Sequence, residues 1–296
     1  MIKLSNDYAF NFACGSGALG FDGKGWPWEK PLRWLGILDP SKFTVVLKTL
    51  TLNPVVGNLS LWHPWTCVRL LPNGSVTNCV GLTNPGITGW YKKYYPIKYD
   101  YALSIKTSSV GEAGSIVSYL KSYNIIDMKY IELNISCPNV KYLSDDLPEI
   151  LRSFEYLETA KFNSPIPIVL KLALDQIDER FIELCNPYVD AYHAINTIPW
   201  SVIFKNKESP IEKYAHKQKG GISGSLIHDY AINAVKRLKY MTSKPIIGGG
   251  GIDSLEAVNR FKDAGAQAFS IGTCFLRHPW KPNLIISSYR KGKSNG

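Results

Sequence analysis

The side chains best suited to chemistry in this 296-residue chain stand together in Glu132-Leu133-Asn134-Ile135-Ser136-Cys137-Pro138-Asn139. Two amides five residues apart, at the end of an apolar run, can offer paired donors and acceptors to a planar polar ligand. Cys137 lies between them, and a thiol whose ordinary pKa is about 8.5 serves as a base or a nucleophile where a pocket tunes it. Pro138 keeps the segment from continuing as a helix. An isolated cysteine is more often a small buried hydrophobe. Its setting between two asparagines and a serine favours the chemical role.

A second motif concerns anions. Pro245-Ile246-Ile247 runs into Gly248-Gly249-Gly250-Gly251 and then a helix start at Asp253-Ser254-Leu255-Glu256, and Ala268-Phe269-Ser270-Ile271-Gly272-Thr273 repeats the strand-to-glycine pattern one unit later. Glycines let backbone N–H groups approach an anion, and a helix N-terminus adds partial positive charge. Tight turns at strand ends are the plainer reading; the repetition favours a phosphate cradle. Lys219-Gly220-Gly221-Ile222-Ser223-Gly224, which precedes another helix, can close it.

Single residues at other strand ends add parts. Lys48 follows Val45-Val46-Leu47, and Lys171 follows Ile168-Val169-Leu170. Solvation explains a lysine at the end of a buried strand poorly, and recognition of an anion or a flavin explains it better. Asn196-Thr197 ends another apolar run, and Asn78 precedes Gly81-Leu82-Thr83-Asn84. The histidines, His63, His193, His216, His228 and His278, show no metal-ligand spacing and read as solvated or structural. No metal site is expected.

These groups need a scaffold of strand ends. Strands are expected at Phe43–Leu47, Tyr101–Ile105, Tyr130–Ile135, Pro167–Leu172, Val189–Ile195, Pro245–Ile247 and Ala268–Ile271. Most alternate little between apolar and polar, as strands buried on both faces do. Helices are expected near 110–124, 147–161, 176–186, 227–241 and 254–264, two of them opened by capping boxes at Ser109–Glu112 and Asp253–Glu256. This alternation makes parallel βαβ units. No Gly-x-Gly-x-x-Gly follows the first strand, and polar clusters sit at the C-terminal ends of nearly all of them. The expectation is therefore α/β, a (β/α)8 TIM barrel with long βα loops, as one domain over residues 1–296. Residues 50–97 read as an insertion and residues 198–226 as a long basic loop over one barrel end.

Composition narrows the class. With 34 Lys+Arg against 24 Asp+Glu the formal charge is +10, which invites a nucleic-acid, membrane or acidic-ligand reading. The basic residues of the loop and tail lack interleaved aromatics for base stacking, and read as solvated surface. Neither a signal peptide nor an apolar segment of about 18 residues is present, so no membrane and no nucleic acid are expected. The six cysteines are scattered without a Cys-x-x-Cys pair, which fits a reducing, cytoplasmic setting.

Taken together, Asn134-Ile-Ser-Cys-Pro-Asn139, Leu47-Lys48-Thr49, Asn78-Cys-Val-Gly-Leu-Thr-Asn84, Asn196-Thr197, Gly248–Gly251 and Gly272-Thr273 resemble the dihydroorotate dehydrogenases, in order and spacing, from about Gly15 to Pro279. The resemblance implies FMN at the C-terminal face of the barrel and oxidation of dihydroorotate to orotate in pyrimidine (UMP) synthesis. It makes Cys137 the base that takes the C5 proton while hydride leaves C6 for flavin N5, as in the soluble class 1 enzymes. The substrate would be held by Lys48 at its carboxylate and by Asn78, Gly81, Leu82, Asn134, Asn139, Asn196 and Thr197. The cofactor would be held by Ser16, Gly17, Lys48, Thr49, Asn134, Lys171, Gly221, Gly249, Gly250, Gly272 and Thr273. The alternative is a related oxidoreductase acting on uracil- or thymine-type pyrimidines, like the dihydropyrimidine dehydrogenases. A homodimer is expected, and NAD use would need a separate iron–sulfur/FAD electron-transfer subunit, because this chain lacks cysteines for a cluster. The sequence departs from the family pattern at Val140, where a glycine is usual, at residues 24–36 with Trp26, Trp28 and Trp34, and at 50–97.

Overall fold

The computed structural model describes residues 1–60, 62–125, 127–135, 147–155, 158–159, 164–214 and 219–294. Eight parallel strands form its centre: β1 Phe12–Cys14, β2 Val45–Val46, β3 Tyr101–Ile105, β4 Ile131–Asn134, β5 Ile168–Leu172, β6 Ala191–Ala194, β7 Ile246–Gly249 and β8 Ala268–Ile271. Each pairs with the next, β8 pairs with β1, and Cys14 N donates to Thr44 O while Thr44 N donates to Phe12 O, both at 2.9 Å, which joins β1 to the residue before β2. The sheet closes into a barrel. Between the strands run α1 Lys30–Trp34, α2 Gly86–Tyr94, α3 Val110–Ser122, α4 Leu147–Glu155, α5 Glu179–Cys185, α6 His228–Met241 and α7 Leu255–Asp263, and α8 Lys281–Ser294 follows β8.

One apolar side chain per strand fills the barrel floor: Ala13, Val46, Ala102, Tyr130, Val169, Ala191, Ile247 and Ala268. Ile2, Leu4 and Phe10, from an N-terminal hairpin of Ile2–Lys3 with Ala9–Phe10, join this cluster and seal the N-terminal end, with Phe10 stacked 5.6 Å from Tyr130. The opposite face of each strand packs on the helices in a larger core. Strands buried on both faces are what the weak alternation in the sequence signalled.

The structure adds a strand that the sequence did not signal and revises some local bounds. β1 is only three residues long, too short for a periodic signal. The helix expected over 147–161 ends at Glu155, and Glu158–Thr159 pairs instead with Ser164–Pro165. Ser109 caps α3 as expected, accepting from Glu112 N at 3.2 Å, but the cap of α7 is Ser254, which accepts from Ala257 N, so Asp253 lies outside the box. Residues 50–97, expected as an insertion, and 198–226, expected as a long loop, contain strands that pair with one another. Val68–Leu70 and Val76–Asn78 form a hairpin, Gly221–Ser223 pairs antiparallel with its second strand, and Ile198–Pro199 pairs with Gly221–Ser223. Part of the first segment is α2, whose buried Trp90 donates to Phe21 O at 2.8 Å.

Candidate functional site

Side chains along a strand alternate between faces, so residues two beyond the floor point into the same barrel interior, one step nearer its C-terminal mouth. Read off the eight strands, they are Gly15, Lys48, Ser104, Glu132, Lys171, His193, Gly249 and Ser270. Every apolar floor residue is followed by a glycine or a polar residue. The barrel thus carries a polar layer on an apolar floor, and all its polar members are buried.

Glu132 organises the layer. Its carboxylate accepts from Ser104 Oγ at 3.1 Å, lies 3.7 Å from Lys171 Nζ and contacts His193 Nδ1 at 2.7 Å. Burial alone pushes its pKa up, but Lys171 and His193, with hydrogen bonds from His193 and Ser104, hold it down at about 2. Burial pushes the His193 pKa down against the pull of Glu132. A carboxylate can only accept, so the proton between the two groups is carried on Nδ1 of the ring. Its Nε2 faces Gly249, where an added Cβ would sit 3.1 Å away.

The chain of hydrogen bonds continues to the other strand ends. Ser104 Oγ meets Thr49 Oγ1 at 3.0 Å, Thr49 meets Ser16 Oγ at 3.0 Å, and Asn134 Nδ2 donates to Thr49 Oγ1 at 3.2 Å. Ser16 also donates to Leu47 O. Gly17 has φ +81°, and a Cβ there would meet Lys48 Cγ at 3.3 Å. Lys48 Nζ lies 5.8 Å from the centre of the Phe21 ring, and burial lowers its pKa to about 8. Ser16, Gly17, Lys48, Thr49, Asn134 and Lys171 are thus brought together as the sequence suggested.

The antiparallel sheet assembles a second group. Asn78 stands opposite Gly221 in register, and a Cβ on Gly221 would sit 2.3 Å from Thr197 Oγ1. Asn196 N donates to Leu172 O at 2.9 Å, which fixes the turn after β6 to the end of β5. Gly81 and Leu82, both with positive φ, form a turn against Gly57 and Asn58. Cys137 and Asn139 lie outside the described residues.

The glycines of β7 and β8 divide by function. Gly250 has φ +134° and no room for a Cβ, which would lie 2.7 Å from Ala231 Cβ, so its need is conformational. At Gly272 no atom lies within 4 Å of an added Cβ. Thr273 and Gly251 border a small crevice with Gly224, Asp253 and Arg277, and Arg277 NH1 donates to Leu71 O and Ser75 O, tying the hairpin to the mouth. Sequence reasoning missed Ser104, Glu132, His193, Gly224 and Gly251 as site residues. The two-residue step from the floor would have found Ser104, Glu132 and His193.

The family model described as dihydroorotate dehydrogenase matches residues 18–290. Proteins named dihydroorotate dehydrogenase B (NAD(+)), catalytic subunit, are 32% identical over 244 residues in Thermoanaerobacter pseudethanolicus, covering 79% of this chain and 76% of the relative. One from Thermodesulfovibrio yellowstonii is 31% identical over 258 residues, covering 83% and 80%. A crystal structure of DHODH from Eimeria tenella in complex with ferulenol superposes with a TM-score of 0.68 at 20% identity, over 94% of this chain and 79% of that one. That structure supports the barrel fold.

Proposed function

The chain belongs to the dihydroorotate dehydrogenase family, and from that premise we propose that its polar barrel layer grips the redox group while the surrounding strand ends grip the substrate. It is an FMN-dependent enzyme that oxidises dihydroorotate to orotate in pyrimidine biosynthesis. The observation that carries the assignment of roles is the polar layer itself, buried at the C-terminal mouth and flanked by a glycine cradle.

The residues present fit FMN. The open space at Gly272 gives a phosphate room beside Gly249, Gly250, Thr273 and Gly221, and Ser16, Gly17, Lys48, Thr49, Asn134 and Lys171 offer donors where a flat ring would lie. When bound, FMN supplies the two-electron acceptor for the hydride that leaves C6 of the substrate. Lys171, fixed by Glu132, places positive charge where the ring gathers electrons. Lys48 takes the substrate carboxylate. Asn78, Asn134, Asn139, Asn196 and Thr197 hold the edge of the pyrimidine, with Gly81 and Leu82 in the adjoining turn. Cys137 would be the base that takes the C5 proton as hydride leaves C6. Uracil-type substrates are not favoured. Such neutral rings have no carboxylate for Lys48, and the relatives carry the dihydroorotate dehydrogenase name.

We further read the chain as one barrel over residues 1–296 that forms a homodimer in the cytoplasm and passes electrons to NAD through a separate iron–sulfur/FAD subunit. The names of the relatives, each a catalytic subunit of an NAD(+) enzyme, support that partner. No helix among the described residues is long and apolar enough to cross a membrane.

The decisive experiment mixes FMN-loaded protein with dihydroorotate in a stopped-flow cell without oxygen. Wild type bleaches the flavin band. Cys137→Ala keeps its flavin but bleaches at least about a hundredfold more slowly at neutral pH. Bleaching at the wild-type rate in the variant would remove Cys137 from its role.

A further inference from the structure

Lys106 stands at the mouth of the barrel with a buried side-chain amine that no described residue partners. The residue is 5% exposed, and its Nζ has no hydrogen-bond partner among the described residues. Its neighbours are defined by strand register. Ser104 stands beside Glu132 and Ile105 beside Leu133, so the next step places Lys106 beside Asn134. Asn134 in turn stands beside Lys171, and Lys171 beside His193. The backbone is still paired here, because Lys106 N donates to Leu50 O at 2.8 Å. The alternation that turns Ala102 and Ser104 into the barrel therefore turns Lys106 inward as well. Thr107 points the other way, its hydroxyl donating to Ser109 O and to Glu112 at the start of α3.

Burying an ammonium without a partner is costly, and proteins retain such a group only where something else compensates it. Lys171, one strand away from Asn134, already has Glu132. On the other side of Lys106 is Leu50, whose carbonyl accepts from Lys106 N, and Lys48 lies two residues before Leu50 in the same segment. Lys106 therefore joins Asn134 and Lys171 at the mouth where the proposed ligands lie, one step above the layer that holds Lys48.

We propose that Lys106 is a ligand-binding residue, a cation beside Asn134 and additional to Lys48, that meets a delocalised oxyanion in the loaded site. This rests on the dihydroorotate dehydrogenase reading, within which the oxyanion has two sources: the carboxylate of the substrate or product, and the pyrimidine edge of the reduced flavin. Neither the family motifs nor the strand-end lysines of the sequence point to this residue.

The test uses FMN-loaded Lys106→Met, with Lys106→Arg as the conservative variant and Lys106→Gln should methionine prevent folding. Orotate affinity is read from the shift of the flavin absorption band, and the flavin midpoint potential by equilibration with a reference dye. If the carboxylate is the ligand, Lys106→Met binds orotate at least tenfold more weakly at an unchanged potential. If the reduced flavin is the ligand, the potential becomes more negative and orotate affinity holds. Arginine restores most of either effect. FMN-free Lys106→Met should also be at least as stable to urea as wild type, since an unbalanced charge has been removed. Orotate affinity within twofold of wild type together with an unchanged potential would overturn the proposal. Wild-type protein that holds FMN but binds no orotate would count against the substrate assignment, and the potential measurement would then decide the role of Lys106 alone.

Discussion

Replacing Glu132 with glutamine tests the centre of the polar layer. The carboxylate has an ordinary pKa of 4.5 and is held at about 2 in the folded protein, where burial opposes and Lys171, His193 and Ser104 together prevail. That fall is worth about 3 kcal/mol in favour of the ionised folded state. The general cost of removing one partner from a buried ion pair, about 3–5 kcal/mol, agrees. Because the folded pKa lies below the unfolded one, this stability is fully present above pH 4.5 and is lost as pH falls toward 2. Glu132→Gln should therefore be about 3 kcal/mol less stable than wild type at pH 7. The gap should narrow by about 1.4 kcal/mol for each pH unit below the ordinary carboxylate value. The cost should fall chiefly on Lys171, the buried cation left without its counter-charge, so adding Lys171→Met to Glu132→Gln should recover much of the loss. Urea unfolding of FMN-free protein at pH 7 and near pH 3.5 measures all three. A difference below about 1 kcal/mol at pH 7, or one that does not change with pH, would refute the reasoning.

Two further outcomes follow from the same geometry. Burial lowers Lys48 to about pH 8, so the free enzyme loses this cation as pH rises through that value. Orotate affinity should then fall by about tenfold per pH unit above it in spectral titrations from neutral to alkaline pH, and a flat profile would remove Lys48 from the carboxylate site. The two cradle glycines should behave differently when changed to alanine. Gly272→Ala, entering open space, should leave the stability of FMN-free protein within about 0.5 kcal/mol of wild type while weakening FMN retention at least tenfold. Gly250→Ala, at φ +134° and against Ala231, should lower stability itself by about 1–3 kcal/mol. Calorimetry with and without FMN separates the two.

Much of the barrel was legible because βαβ units announce themselves through short apolar runs separated by helical spacing. Strand-end motifs were legible because glycine, asparagine and lysine are poor choices inside a buried strand. Other features depend on partners distant in sequence. The hairpin of Val68–Leu70 and Val76–Asn78 finds Gly221–Ser223 about 150 residues later, a pairing that no local pattern encodes. Glu132 stood inside the most conspicuous motif, but its role comes from Lys171 and His193 on other strands. His193 is structural in the sense its spacing suggests, buried and bonded to Glu132, but that partner on another strand leaves no mark in the local sequence.

The two interior layers also explain why the chemistry sits at one end of the barrel. Four of the eight floor residues are alanine, on β1, β3, β6 and β8, and the larger Val46, Tyr130, Val169 and Ile247 fill the space between them. The N-terminal hairpin adds Ile2, Leu4 and Phe10 beneath, so water is kept from the polar layer on that side. Charge there is poorly screened, and each interaction counts for more than it would at a surface. The same dryness that lets Lys171 and His193 hold Glu132 ionised also lowers Lys48 toward neutrality and leaves Lys106 uncompensated. A ligand arriving at the mouth with negative charge relieves both lysines at once. Selectivity for an anionic pyrimidine over a neutral one then follows from the sealed floor as much as from the residues that touch the ring.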